Sequence, residues 1–218
     1  MNKKKVDTSF ERLKQADILL VFDHARAGNG FFKRIFDQHP EVLCLTKGGY
    51  VYGQIVLLLG GRESMLGAEA YEWALSDVNV NWIVRELTPE SAVQMESVGD
   101  DPHFKLDREI VKNVLKELFL NKEHLDRREI FSSLYYAYAL GIGRDVSKVK
   151  YLLMDAAPHN DKVSGDELNH ALFQAILADH VKVVHLVRDP RASFASIRHQ
   201  YVNQFGNMYP IKSAKIWG

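Results

Sequence analysis

The residues best equipped for chemistry fall in two short segments. The first is His24-Ala25-Arg26-Ala27-Gly28-Asn29-Gly30, which follows the apolar run Ala16-Asp17-Ile18-Leu19-Leu20-Val21-Phe22. Phe31, Phe32, Ile35 and Phe36 come next at helical spacing. A glycine-bearing loop between a buried strand and a helix turns several backbone N–H groups toward one point. The helix start adds its orphan donors and positive dipole end, which together make an anion cradle. Gly28 and Gly30 permit positive φ and close ligand approach, and Arg26 adds a fixed cation. The same residues would also serve as a plain tight βα turn. The spacing is neither GxxxxGK[ST] nor GxGxxG.

The second segment is His185-Leu186-Val187-Arg188-Asp189-Pro190-Arg191-Ala192-Ser193-Phe194-Ala195-Ser196. Asp189 suits an N-cap and Pro190 the first helical position. Arg188 and Arg191 straddle that helix start, where positive charge is locally unfavourable, so the arrangement points to an expected anion. The alternative is two solvated arginines, or one paired with Asp189. Ser193 and Ser196 on the first two turns would add hydroxyl donors.

These segments need elements to position them. The run 16–22 reads as a buried strand, because it is short and ends at a glycine loop. The helix after it stops at His39-Pro40, and Val42-Leu43-Cys44-Leu45 is a second strand. The first fifteen residues read as an arm or a short helix, and residues 50–60 and 67–76 as helical. Residues 108–143 hold one or two amphipathic helices. Ile110, Val114, Leu115, Leu118 and Phe119 form one apolar stripe; Phe131, Leu134, Tyr135 and Tyr138 form another. Lys150–Asp155 is a strand, 165–179 a helix with Leu168, Leu172, Ala175 and Ile176 on one side, and Val181–Val187 a strand. A helix then runs to about Phe205. Alternating strands and helices with β-branched apolar strands imply a parallel sheet covered by helices, hence α/β. Both candidate segments would then lie at the carboxyl ends of strands, where such sheets bind ligands. A ligand with two separated phosphate-like groups would fit them. No internal repeat, low-complexity tract or linker is evident.

Composition narrows the function classes. The 218 residues carry 28 Lys+Arg and 28 Asp+Glu, which argues against bulk nucleic-acid binding while leaving room for a small anion held by local cations. With 46% apolar residues the chain is that of a soluble globular protein. No run of 18 apolar residues reads as a membrane span. The basic N-terminus, MNKKK, lacks the apolar stretch of a secretory signal, so a cytoplasmic location is expected. The single cysteine, Cys44, excludes an intramolecular disulfide and a Cys-based zinc site. Cys44 reads as a small packed residue, not a nucleophile.

The two segments together resemble the sulfotransferase superfamily that uses 3′-phosphoadenosine 5′-phosphosulfate, in its bacterial, carbohydrate or tyrosyl-protein branches. RAGNG stands where the family has [KR]-[ST]-G-[ST]-[ST], and FDQHPEV is similar to the family's LDxHPEV. VVHLVRDPRASFAS is similar to the more specific second motif, with Arg188 and Ser196 eight residues apart. The likeness covers residues 16–46 and 150–206. It implies a P-loop-NTPase-like three-layer fold with a central parallel sheet flanked by helices. It also implies one domain over 1–218, with an acceptor-side helical insertion at about 50–145 and a C-terminal part shorter than the family's. The implied donor site is Arg26, Ala27, Gly28, Asn29, Gly30 and Phe31 for the 5′-phosphosulfate, and Arg188 and Ser196 for the 3′-phosphate. No metal is implied; the product would be adenosine 3′,5′-bisphosphate.

Some residues depart from the family pattern. Ala27, Asn29 and Gly30 stand at hydroxyl positions, leaving backbone donors and the Asn29 amide to compensate. Cys44-Leu45-Thr46-Lys47 carries no carboxylate where several branches have a catalytic Glu. Asp155-Ala156-Ala157-Pro158-His159 keeps the Pro and His of a family segment but not its Lys.

The implied activity is in-line transfer of a sulfuryl group to a hydroxyl acceptor, a carbohydrate among the candidates. Arg26 and the 28–31 amides would stabilise the leaving phosphate, since arginine does not readily donate a proton. His159 is the first candidate for the base that deprotonates the acceptor, followed by His24 and Asp155. His39 reads as part of a helix stop, and Tyr135, Tyr136 and Tyr138 as packing. Two alternatives stand beside this reading. One is a nucleotide kinase-like enzyme, because Leu152-Leu153-Met154-Asp155 resembles a Walker B strand, although no Lys-Ser/Thr pair accompanies it. The other is a non-catalytic module that binds the same nucleotide.

Overall fold

A computed structural model describes residues 3–23, 32, 35–36, 39–45, 48–76, 80, 106–156, 181–189, 191–193 and 195. Its helices are α1 (Lys3–Lys14), α2 (Gly48–Leu59), α3 (Gly67–Ser76), α4 (Arg108–Leu120) and α5 (Arg127–Gly141). Its strands are β1 (Asp17–Asp23), β2 (Val42–Cys44), β3 (Ser64–Leu66), β4 (His124–Asp126), β5 (Tyr151–Ala156) and β6 (Lys182–Leu186). The helix expected over 165–179 lies outside the described residues, as does most of the one expected after Pro190.

Among the described residues, four strands form one sheet in the order β2-β5-β1-β6, all parallel. The expected α/β class and parallel sheet are therefore present. Side chains alternate across it with period two. Ile18, Leu20, Leu43, Leu152 and Met154 face the larger core, with α1, α2 and α5. Leu19, Val21, Val42 and Leu153 face the other way, where Phe32 and Phe36 pack on them. Apolar matter covers both faces of β1, β2 and β5, which is why these strands read as continuous apolar runs, whereas Val183 of β6 is 51% exposed. The Phe32 and Phe36 rings are 5.0 Å apart. Ile35 departs from the expected apolar face and is 56% exposed.

α5 is the spine of the larger core. Ile130 through Ala139 are buried on every side, since the helix lies among the sheet, α1, α2 and α4. The expected stripe of Phe131, Leu134, Tyr135 and Tyr138 is only part of that surface. Its start is held by a capping box: Asp126 accepts from the Glu129 N–H at 2.7 Å, and Glu129 accepts from the Asp126 N–H at 3.2 Å. α4 is amphipathic through Val111, Val114, Leu115 and Phe119. Ile110 leaves the expected stripe and is 40% exposed, Val111 taking the inward position beside Gly141.

The structure corrects the expectation of no internal repeat. α2–β3–α3 and α4–β4–α5 are two copies of one helix–strand–helix unit, joined by antiparallel pairing of β3 with β4 around Met65↔Leu125. Sixty residues separate Met65 from Leu125, and the same step relates the buried pairs Val51 and Val111, Ile55 and Leu115, Leu59 and Phe119, and Ala70 and Ile130. Packing is reciprocal, with α3 on α4 and α2 on α5. Gly67 sits where the units meet: a Cβ there would run into the carbonyl oxygens of Phe119 and Lys122. Few identities survive between the copies, so the repeat shows only once burial is known.

Candidate functional site

β1 lies between β5 and β6, with Phe22↔Ala156 on one side and Asp23↔Leu186 on the other. The carboxyl ends of these three parallel strands therefore abut. Every sequence-derived site residue follows one of those ends along the chain. Arg26–Phe31 come directly after β1, His159 three residues after Ala156, and Arg188 two residues after Leu186. Arg26, Ala27, Gly28, Asn29, Gly30, Phe31, His159, Ser196 and the base candidate His24 lie outside the described residues. Asp155 takes part in β5 through its backbone, paired with Val21.

Arg188 is exposed just past the end of β6. The turn after it is built by Asp189. One Asp189 carboxylate oxygen accepts from the Arg191 N–H at 2.8 Å, and the Asp189 carbonyl accepts from the Ser193 N–H at 3.0 Å. Asp189 thus caps a helical turn over 191–193, as its residue type suggests. It also takes up Arg191: the guanidinium Nη2 donates to it at 2.8 Å and Nε at 3.2 Å. That hydrogen bonding holds the Asp189 carboxyl below its ordinary value and Arg191 above its own. Of the two arginines expected to await an anion, Arg191 is engaged with Asp189, which was the alternative reading. Ser193 is buried, so its hydroxyl is not on the surface.

The opposite, amino edge of the sheet carries charges that pair among themselves. Lys182 bridges to Asp17 at 2.6 Å across β6 and β1, and Lys150 bridges to Glu41 at 2.5 Å before β5 and β2. Arg128, on α5, donates Nε to the Lys14 carbonyl at 3.0 Å and Nη2 to the Ala16 carbonyl. Burial there holds Arg128 below its ordinary value, partly offset by Asp17 and Asp126. Arg144 donates to the carbonyls of His39 and Val42. These arginines fix where β1 and β2 begin. Sequence reasoning missed them, because a carbonyl acceptor more than a hundred residues away leaves no local pattern.

His39 acts as the helix stop it was expected to be: its N–H donates to the Phe36 carbonyl at 3.0 Å and its Nδ1 accepts from the Glu41 N–H at 3.3 Å. Cys44 is half-buried in the smaller apolar cluster, a packing role. Tyr135 and Tyr136 are buried, and the Tyr135 hydroxyl donates to the Leu153 carbonyl at 2.8 Å.

Among the described residues, no group of three or more His, Cys, Asp or Glu side chains could hold a metal ion. Among them, too, no helix is long and apolar enough to cross a membrane. Compared with family models, curated proteins and solved structures, the chain matches none.

Proposed function

We propose that this protein is a sulfotransferase, moving a sulfuryl group from 3′-phosphoadenosine 5′-phosphosulfate to a hydroxyl acceptor. A carbohydrate hydroxyl is the first acceptor to test. The reading draws on the residue likeness at RAGNG and at Arg188 with Ser196. The observation that carries it is the register pair Asp23↔Leu186, which sets the strands feeding both segments side by side at their carboxyl ends. One nucleotide bearing two phosphate groups could then engage both. Arg188, exposed just past the end of β6, suits the 3′-phosphate.

When bound, the donor supplies a sulfuryl group whose leaving partner is a phosphate. The chain's own part is to hold and orient. Arg188 and Ser196 would bind the 3′-phosphate, while Arg26 and the 28–31 amides would stabilise charge on the 5′ side. His159 would take the acceptor's hydroxyl proton as its oxygen bonds to sulfur and the sulfur–oxygen bond to the 5′-phosphate breaks.

The test is thermal denaturation with adenosine 3′,5′-bisphosphate. A raised melting temperature, lost in a folded Arg188→Ala protein, is expected; no shift in the folded wild type would overturn the assignment. One observation favours a nucleotide kinase-like reading: β5, which ends in Met154-Asp155-Ala156, lies directly beside β1. ATP binding that needs magnesium and exceeds bisphosphate binding would favour that alternative. Bisphosphate binding without turnover across a broad acceptor panel would favour a non-catalytic module.

A further inference from the structure

The duplicated helix–strand–helix units repeat more than their backbone. In the first, Arg62 pairs with Glu69 at 3.0 Å; in the second, Lys122 pairs with Glu129 at 2.6 Å. The cation precedes the carboxylate by seven residues in both. In both, the carboxylate also accepts from the backbone N–H three residues before it, that of Leu66 for Glu69 and of Asp126 for Glu129. The middle residue of each short strand is buried, and the two pair with each other.

This layout follows the plan of a paired calcium-binding helix–loop–helix. In that plan a twelve-residue loop ligates through positions 1, 3, 5, 7 and 9 and closes on a bidentate Glu at position 12. With Glu69 and Glu129 as the twelfth residues, the loops run from Leu58 and from Leu118. The short strands then occupy positions 7 to 9 and the second helices start at position 10. The first half of each loop departs from the plan: position 6, a glycine in a calcium loop, is Glu63 or Glu123, position 4 has φ 87° at Gly61 but −86° at Asn121, and the ligand chemistry is replaced. Positions 1 and 3 are Leu58 and Gly60 in one loop, Leu118 and Leu120 in the other, and none offers a side-chain oxygen. Position 5, a carboxylate or amide in a calcium loop, is Arg62 or Lys122. Its cationic end lies on the carboxylate that would otherwise close on the metal.

We propose that residues 58–69 and 118–129 are a duplicated pair of calcium-type hands in which a side-chain cation stands permanently in the metal's place. The pair is thereby held in its charge-neutralised form with no divalent ion, as a fixed scaffold under the sheet. Lys14 of α1 reinforces the second hand, reaching Glu129 at 3.3 Å and tying α1 to it. The inference is independent of the sulfotransferase reading.

The test restores the missing oxygens in the full chain. Leu120 is 44% exposed and Lys122 half-buried beside the Phe10 ring, so L120D/K122D removes no buried apolar side chain and adds carboxylates at positions 3 and 5 to Asp126 and Glu129. Calcium titration by calorimetry should show one site per chain in this variant, in the range of about 0.1–1 mM typical of weak sites. Calcium should also raise its melting temperature, and adding E129Q should abolish both effects. The wild type should show neither. Stoichiometric calcium binding by the wild type would overturn the proposal, as would a folded L120D/K122D protein that ignores calcium at about ten times that concentration. If L120D/K122D fails to fold without calcium, refolding on calcium addition supports the proposal. Should it stay unfolded, K122D alone decides by the same melting readout: a rise with calcium supports the proposal and no rise overturns it.

Discussion

Asp23 and Leu186 are register partners at the carboxyl ends of two neighbouring parallel strands. They come from opposite ends of the chain, yet they align the two segments whose residues suggest anion binding. β5, with Asp155, flanks β1 on its other side. The sheet edge where ligands of such folds bind is therefore supplied by three strands, while the charges along the amino edge pair with one another.

The two arginines of the second segment should behave differently. Arg188→Ala is expected to abolish the melting shift given by adenosine 3′,5′-bisphosphate. Arg191→Ala should keep most of it, because Arg191 is hydrogen-bonded to Asp189. Equal losses in two folded variants would show that Arg191 leaves Asp189 to meet the ligand.

Acid should loosen the duplicated unit. Burial pushes the Glu129 carboxyl up, but hydrogen bonds from Lys122, the Asp126 N–H and Lys14 outweigh it and hold the group below its ordinary value. The Glu69 carboxyl is held low by its hydrogen bonds from Arg62. A carboxyl depressed in the folded state leaves the unfolded chain binding more protons between the two values. Its stability contribution is thus full above the ordinary Glu value of about 4.3 and is lost as pH falls through the folded one. Urea unfolding between pH 6 and pH 3 should show this decline, with a shallower slope in Glu129→Gln. An unchanged slope would remove Glu129 from the account.

Gly67→Ala should destabilise the fold by about 1–3 kcal/mol, since its Cβ meets backbone carbonyls that cannot rotate away. Glu72→Ala, exposed on the same helix, should stay within about 0.5 kcal/mol of wild type. Chemical denaturation of both checks this. A Gly67→Ala protein as stable as Glu72→Ala would deny the close approach of α3 to the end of α4.

Tyr135→Phe tests how α5 is tied to the sheet. It removes a buried hydroxyl that donates to the Leu153 carbonyl, and should cost about 1 kcal/mol with the fold retained. Leu134→Ala, which opens a cavity in the same helix, should cost about 2–5 kcal/mol. A Tyr135→Phe loss as large as that of Leu134→Ala would mean the hydroxyl secures more than one contact.

β1, β2 and β5 were legible because each is a short apolar run with buried side chains on both faces; β6 was legible from its Val183-Val184-His185-Leu186 run, although Val183 is 51% exposed. The cap Asp189 was legible for a local reason: a short acceptor reaches an N–H two residues on, whereas the Asp126 cap was not read from the sequence. β3 and β4 were not legible. Three residues each, they carry one buried side chain apiece, too little for a period to register. Ile110 and Ile35 misled because an apolar residue at the edge of a stripe looks the same in sequence whether it faces in or out.

The sequence by itself determined the α/β class, the parallel strands, the helix stops and the two segments rich in anion-binding residue types. All of these depend on near neighbours, through side-chain period, capping reach and backbone permission at glycine and proline. Tertiary structure alone decided that β1 sits between β5 and β6, and that Arg191 is engaged with Asp189. It alone revealed that 51–76 and 111–136 are copies of one unit whose carboxylates are closed by Arg62 and Lys122. Strand order and reciprocal packing depend on contacts between distant residues, and the energy of burial that selects them is blind to how far apart the partners lie in the chain.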